Sequence, residues 1–252
     1  MMGTAVVMPA FNERQRIRQV AEAVLAQGVQ RLIVVDDGST DGTGAILAGL
    51  DLDLLRHPRN LGKGSALATG MRHALAQGFE RVLTIDADGQ HRASDIPRLI
   101  AVALAHPLAL IIAARLHGRK RAPGWRRFGN RVADFWISWA CGRPVTDTQS
   151  GFRLYPAAGL SAVRLQPRSS AGFTFETALL IDLMQAGTDL CIVAIDTLYD
   201  PTGRPSHYRP WRDTASIVRL VAAHLLRRGL YPLGLLRALG VLAPRAPRAL
   251  GS

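Results

Sequence analysis

Short β-branched runs alternate with helical stretches through the first half of the chain, and this alternation constrains the fold more than any other feature. Thr4–Met8, Leu32–Asp36, Leu52–Arg56, Val82–Asp86 and Leu108–Ala113 read as strands. Glu13–Ala26, Gly42–Ala48, Gly64–Gln77 and Ser94–Ala105 read as helices between them. Strand and helix in alternation predict an α/β fold, a mostly parallel sheet flanked by helices on both faces. Ligands of such sheets bind beyond the carboxyl ends of the strands, near a switch in strand order. The chemistry-bearing residues fall at those ends: Pro9, Asp36-Asp37 and Asp86-Ala87-Asp88. After Arg115 the pattern changes to a basic loop, HGRKRAPGWRR, and an aromatic-rich helix over Phe128–Ala140. A polar turn at Asp147–Tyr155 then enters a short strand, and Thr174–Gln185 is again helical.

At 252 residues and 48% hydrophobic, the chain is long enough for one large domain. The expected division is a catalytic domain over residues 1–228 and a basic, apolar C-terminal extension over 229–252 on the acceptor side. Thirty-one Lys and Arg against 19 Asp and Glu leave a formal charge of +12, which predicts an anionic partner. Cys141 and Cys191 lack metal-ligand spacing and read as reduced thiols of a cytosolic protein. MMGTAVVMPA lacks the features of a signal peptide. The most apolar stretch, Leu99–Ala114, is broken by His106-Pro107 and is too short to span a bilayer. The arginines and leucines from Ile217 to Leu242 suit a helix lying on an anionic membrane surface, or one packed on the domain with its arginines solvated.

Asp86 and Asp88 lie on the same side of an extended segment. Two carboxylates so placed, with no lysine beside them, repel one another unless a cation intervenes. A hard divalent ion, Mg²⁺ or Mn²⁺, suits such oxygen ligands, and Gln90 offers a carbonyl oxygen on the same face. In VVDDGSTDGT, Asp36 and Asp37 end a strand where carboxylates accept from base or ribose donors. NLGKG places Lys63 and two glycines at a helix start, a setting that favours anions. Gln149, Ser150 and Arg153, facing Arg115, Arg126 and Arg127, would surround a phosphate, which the guanidinium fork matches well. The competing role for Arg153 is an ion pair with Asp147.

MPAFNE, VVDDGSTDGT, NLGKGSA, DADGQH and DTQSGFRLY stand in the order found in family-2 glycosyltransferases of the GT-A fold. Together they most resemble the dolichyl- and polyprenyl-phosphate sugar synthase branch, over roughly residues 4 to 220. The resemblance implies that Asp86, Asp88 and Gln90 bind the metal that clamps a nucleotide-sugar diphosphate. It likewise implies a nucleotide pocket lined by Pro9, Ala10, Glu13 and Asp37, with Ala87 between the two acids. Asp88, Arg115 and Arg153 are then the expected catalytic set. The reading that follows is inverting transfer to polyprenyl phosphate by a protein peripheral to the cytoplasmic membrane face. One alternative is transfer to a hydroxyl, with Asp147, Glu176 or His207 as base. Another is a non-catalytic, basic nucleotide- or nucleic-acid-binding domain. Only 6% aromatics and the four strand-end aspartates argue against nucleic acid. Phe11 stands where many relatives carry tyrosine, and Ser206-His207 where synthases often show Ser-Lys.

Overall fold

The structure is a computed structural model that describes residues 3–115, 124–166, 172–196 and 210–243, with the side chains of 124–130, 172–173 and 210–215 outside that description. Seven strands form one sheet: β1 (Thr4–Ala10), β2 (Arg31–Asp36), β3 (Asp53–Arg56), β4 (Arg81–Thr84), β5 (Ala109–Ala114), β6 (Arg153–Pro156) and β7 (Asp189–Ala194). Their order is β3-β2-β1-β4-β6-β5-β7, parallel throughout except for β6, which runs antiparallel to β4 and β5. The apolar runs in β1, β2 and β5 are buried on both faces, as continuous rather than alternating hydrophobic strands require.

Helices cover the two faces unequally. Val6 and Met8 of β1 point toward α1 (Ile17–Leu25) and α3 (Ile96–Ala105). Ala5 and Val7 point toward α2 (Lys63–Ala76), α4 (Gly124–Cys141), α6 (Gly172–Ala186) and α7 (Pro210–Arg227). Between β6 and α6 lies the short α5 (Ala157–Ser161), and α8 (Pro232–Ala238) packs on α4. α2 approaches β1 closely because Gly70 has no Cβ; one there would lie 2.4 Å from Val7 Cγ1.

Two features of the sheet position the site. The chain winds outward from β1 through β2 and β3, then returns to β4 on the other side, so the β1–β4 seam is the switch in strand order. That seam ends early. Ile85 N–H donates to Val7 O, and Pro9, two residues on and facing the same side, has no N–H to offer. The second feature is β6. Because it is antiparallel, Arg153 pairs with Thr84, which brings the 147–151 turn beside the carboxyl end of β4.

Some expectations change. The helix expected over Gly42–Ala48 is only a 3₁₀ turn at Ala45–Leu47, because Thr43 and Asp41 are drawn into bonds with Glu13 and Arg14. α1 starts at Ile17 rather than Glu13, since Asn12 takes φ 56° and turns the chain first. The pattern did not announce β7 or α5.

Candidate active site

At the carboxyl end of β4, the acid pair does have a lysine. Lys63, at the first turn of α2, places Nζ 2.7 Å from Asp86 Oδ1 and 3.2 Å from Glu176 Oε2 on α6. Repulsion between Asp86 and Asp88 with no ammonium nearby was the expectation. The fold corrects it by carrying a residue 23 positions upstream into contact with Asp86. Burial works against both charges of this pair, but their attraction prevails. Lys63 is held above the usual lysine range by Asp86 and Glu176, and Asp86 below the usual carboxylate range by Lys63 and His91. Asp88 moves the other way: burial, then the Asp86 charge, raise its pKa. One Asp88 oxygen accepts from Gln90 N–H. His91 is buried against the Phe152 ring, and burial lowers its pKa to about 4, leaving it neutral at physiological pH.

Gly151 completes this wall. Thr84 Oγ1 donates to its carbonyl at 2.7 Å, and a Cβ at 151 would stand 2.8 Å from Asp86 Oδ2 and 3.1 Å from Lys63 Nζ. No other residue type fits there without displacing the ion pair.

Arg115, immediately after β5, grips Asp147 with a two-pronged fork, Nε to Oδ2 at 3.0 Å and an Nη to Oδ1 at 2.9 Å. Its backbone N–H donates to the same carboxylate. Arg115 therefore holds the ion pair that was one of two roles proposed for Arg153. Arg153 is 0% exposed, and its guanidinium donates to the carbonyls of Ser150, Glu176 and Thr148. The expectation that Arg153 touches an acceptor phosphate is corrected on that ground, because its donors are enclosed and engaged. Ser150 is similarly committed, its hydroxyl donating to Ala113 O. Gln149 remains partly exposed on the turn. Arg126 and Arg127 lie on α4 with side chains outside the described residues, as do His207, Arg204 and Arg209 entirely. Asp134 of α4, which the sequence reading passed over, accepts from Thr148 N–H and Oγ1 and so secures the turn. Its signal was an acid on an otherwise aromatic helix.

Across the β1–β4 seam, Pro9 and Ala10 end β1, and Ala10 O accepts from Asp37 N–H. Asn12 and Glu13 donate backbone N–H to Ser39 Oγ and Thr43 Oγ1, stitching the first loop to the DGSTDGT loop. Asp36 and Asp37 are only 1% and 2% exposed. Both oxygens of Asp37 are taken internally, by His57 Nδ1, Leu61 N–H and Gly62 N–H. Rather than reaching out to a base or ribose, Asp37 shapes the loop that delivers Lys63. His57 is the residue the sequence reading missed here.

Among the described residues, no three His, Cys, Asp or Glu side chains converge as a ready-made metal cluster. The donor set nevertheless fits a hard divalent ion that completes its shell with substrate oxygens. Asp86 and Asp88 would supply carboxylates and Gln90 a neutral oxygen, and the raised pKa of Asp88 marks negative charge that a cation would relieve.

Residues 5–158 match the family described as Glycosyl transferase family 2. A polyprenol monophosphomannose synthase from Mycolicibacterium smegmatis is 31% identical over 70% of this chain and 70% of its own length. A UDP-N-acetylglucosamine–dolichyl-phosphate N-acetylglucosaminyltransferase from Methanococcus voltae is 29% identical, covering 70% of this chain and 78% of that protein. Glucosyl-3-phosphoglycerate synthase from Mycobacterium tuberculosis, solved with Mn²⁺, UDP and phosphoglyceric acid, superposes with a TM-score of 0.66 at 25% identity, over 90% of this chain and 78% of that one.

Proposed function

The chain belongs to glycosyl transferase family 2 and is a glycosyltransferase of the GT-A fold, and from that premise we propose that it moves a sugar, with inversion, from a nucleotide-sugar donor to polyprenyl phosphate. One observation carries the reading: Asp88, partly buried beside the Asp86–Lys63 pair, carries charge that a cation would relieve, and the Arg115–Asp147 fork stands on the next parallel strand end. The donor lies over the carboxyl ends of β1, β2 and β4, against the stitched 10–13 and 37–43 loops. Asp86, Asp88 and Gln90 hold Mg²⁺ or Mn²⁺, which supplies Lewis-acid stabilisation of the leaving diphosphate. The structure with Mn²⁺ and UDP in a relative supports that cofactor.

A phosphate acceptor is already mostly dianionic at neutral pH, since its second pKa is about 6. It needs alignment rather than deprotonation, and Arg115 is the cation placed to provide it. Hydroxyl transfer would need a free base. Asp147 is committed to Arg115 and Glu176 to Lys63, so the two carboxylates considered for that role are occupied.

Peripheral attachment at the cytoplasmic membrane face is supported by one surface. Along α4, Val132, Phe135 and Trp136 are exposed, with Trp136 stacked on Trp139. Neighbouring α8 exposes Leu233 and Leu236, Arg131 is exposed next to Val132 on α4, and Arg228 lies over the Tyr231 ring just before α8. Aromatic and basic residues beside exposed leucines match an anionic lipid interface. Among the described residues, no helix is long and apolar enough to cross a membrane.

Turnover of UDP-, GDP- and TDP-sugars with Mn²⁺, each with polyprenyl phosphate and with the matching polyprenol, tests the reading. Products on the phosphate with inverted anomeric configuration are expected. Equal turnover of the uncharged alcohol would end the phosphate-acceptor assignment.

A further inference from the structure

Lys63 sits between two carboxylates carried by different elements. Its ammonium bridges Asp86 Oδ1 at 2.7 Å and Glu176 Oε2 at 3.2 Å. Glu176 is 4% exposed, and its second oxygen, Oε1, is buried with no hydrogen-bond partner among the described residues. Without the lysine, two carboxylates would face one another beside the unpartnered Glu176 Oε1, an oxygen-rich setting of the kind a hard divalent cation prefers. With it, one positive charge already occupies the place. Lys63 also stands at the N-terminal turn of α2, where backbone N–H groups and the helix dipole favour a diphosphate. An arriving donor therefore offers the ammonium a second partner.

We propose that Lys63 is a positioning residue that makes divalent-cation binding conditional on nucleotide. Its ammonium stands in for the metal between Asp86 and Glu176 in the ligand-free protein, then passes to the donor's diphosphate and releases Asp86. This rests on the transferase reading above, and it goes further by giving the site an order: cation and nucleotide enter together. By linkage, the same device strengthens the mutual dependence of the two ligands. A purely structural lysine would do the opposite on removal, weakening every ligand by loosening the fold.

The test titrates Mn²⁺ alone, followed by electron paramagnetic resonance, into wild type, Lys63→Met and Lys63→Met/Asp86→Asn. Lys63→Met is expected to bind Mn²⁺ at least ~10-fold more tightly than wild type without nucleotide, and the Asp86→Asn addition to abolish that gain. Mn²⁺ alone should raise the melting temperature of Lys63→Met and leave that of wild type unmoved. Since Lys63→Met leaves two carboxylates without their cation and is at risk of unfolding, Lys63→Met/Glu176→Gln removes one charge of each sign. Compared with Glu176→Gln alone, it must show the same direction of gain. Equal Mn²⁺ affinity with and without Lys63, in proteins that still bind Mn²⁺ together with UDP or GDP, overturns the inference and leaves the transferase reading standing. Wild type that binds no Mn²⁺ with any nucleoside diphosphate removes both.

Discussion

Gly151 in the turn and Arg153 at the start of β6 lie two residues apart, and substitutions at them should fail in different ways. Gly151→Ala places a methyl group 2.8 Å from Asp86 Oδ2, so the ion pair with Lys63 must shift. Calorimetry should find Mn²⁺–nucleotide binding at least ~10-fold weaker, with part of the fold's stability kept. Arg153→Ala removes the donor to three carbonyls, of which that of Glu176 keeps its place in the α6 ladder, and leaves a cavity. At about 1–3 kcal/mol for each of the two carbonyls left without a donor, urea unfolding should show a loss of roughly 2–6 kcal/mol. Arg115→Lys is the contrast. It keeps a positive charge against Asp147 but loses the fork, so stability should change by about 1 kcal/mol or less while turnover on polyprenyl phosphate falls roughly 10- to 100-fold. If Arg115→Lys turned over normally, its assignment to the acceptor would be wrong. At this scale the motifs were legible but their partners were not. Nothing local in NLGKG says that Lys63 meets Asp86.

Elements bring those partners together, and two of them can be tested by their attachments. Helix α4 holds the 147–151 turn through Asp134, which accepts from Thr148 at 3.0 and 2.8 Å. Asp134→Ala should raise KM for the acceptor several-fold while leaving Mn²⁺–nucleotide affinity unchanged; a loss of both would mean that α4 supports the whole site. At the other edge, the short strand β3 is tied to α2 by Asp53, which accepts from His73 and Gln77. Burial tends to raise the Asp53 pKa, but these bonds and Arg31 hold it below the ordinary carboxylate range. A depressed folded-state pKa contributes stability above the unfolded value of about 3.9, and that contribution is lost as pH falls through the folded value. The stability gap between wild type and Asp53→Asn should therefore be largest above about pH 5 and shrink toward pH 3, as read from urea midpoints. A constant gap would refute the linkage. Periodicity made β1 to β5 readable, because β1, β2, β4 and β5 are buried apolar runs and β3 alternates half-buried with exposed residues. It did not reveal that β6 runs antiparallel, since strand direction leaves no trace in composition.

For the molecule as a whole, the net charge of +12 and the α4–α8 surface act together. Co-sedimentation with vesicles containing phosphatidylglycerol should exceed that with phosphatidylcholine alone and weaken as salt rises. Trp136→Glu and Leu236→Glu, both at exposed positions, should reduce it with little effect on the melting temperature. Wild type that ignores anionic vesicles would remove the membrane assignment without touching the transferase assignment. The surface joins α4, the helix that secures the 147–148 turn, so the proposed lipid contact and acceptor alignment would share one element.

What the sequence determined by itself was whatever neighbouring residues decide. Buried runs set the strands, amphipathic spacing set α2 and α3, and acids clustered at strand ends marked the site. Those signals are local because backbone geometry and side-chain facing repeat every two or 3.6 residues. The tertiary structure alone decided which charge answers which: Lys63 to Asp86 and Glu176, Arg115 to Asp147, and Arg153 to three carbonyls. Such pairings depend on strand order, on the reversed direction of β6 and on a missing Cβ at Gly151, which act across tens of residues. An arginine in a polar turn reads the same whether it faces a ligand or the protein interior, and only the packing around it tells the two apart.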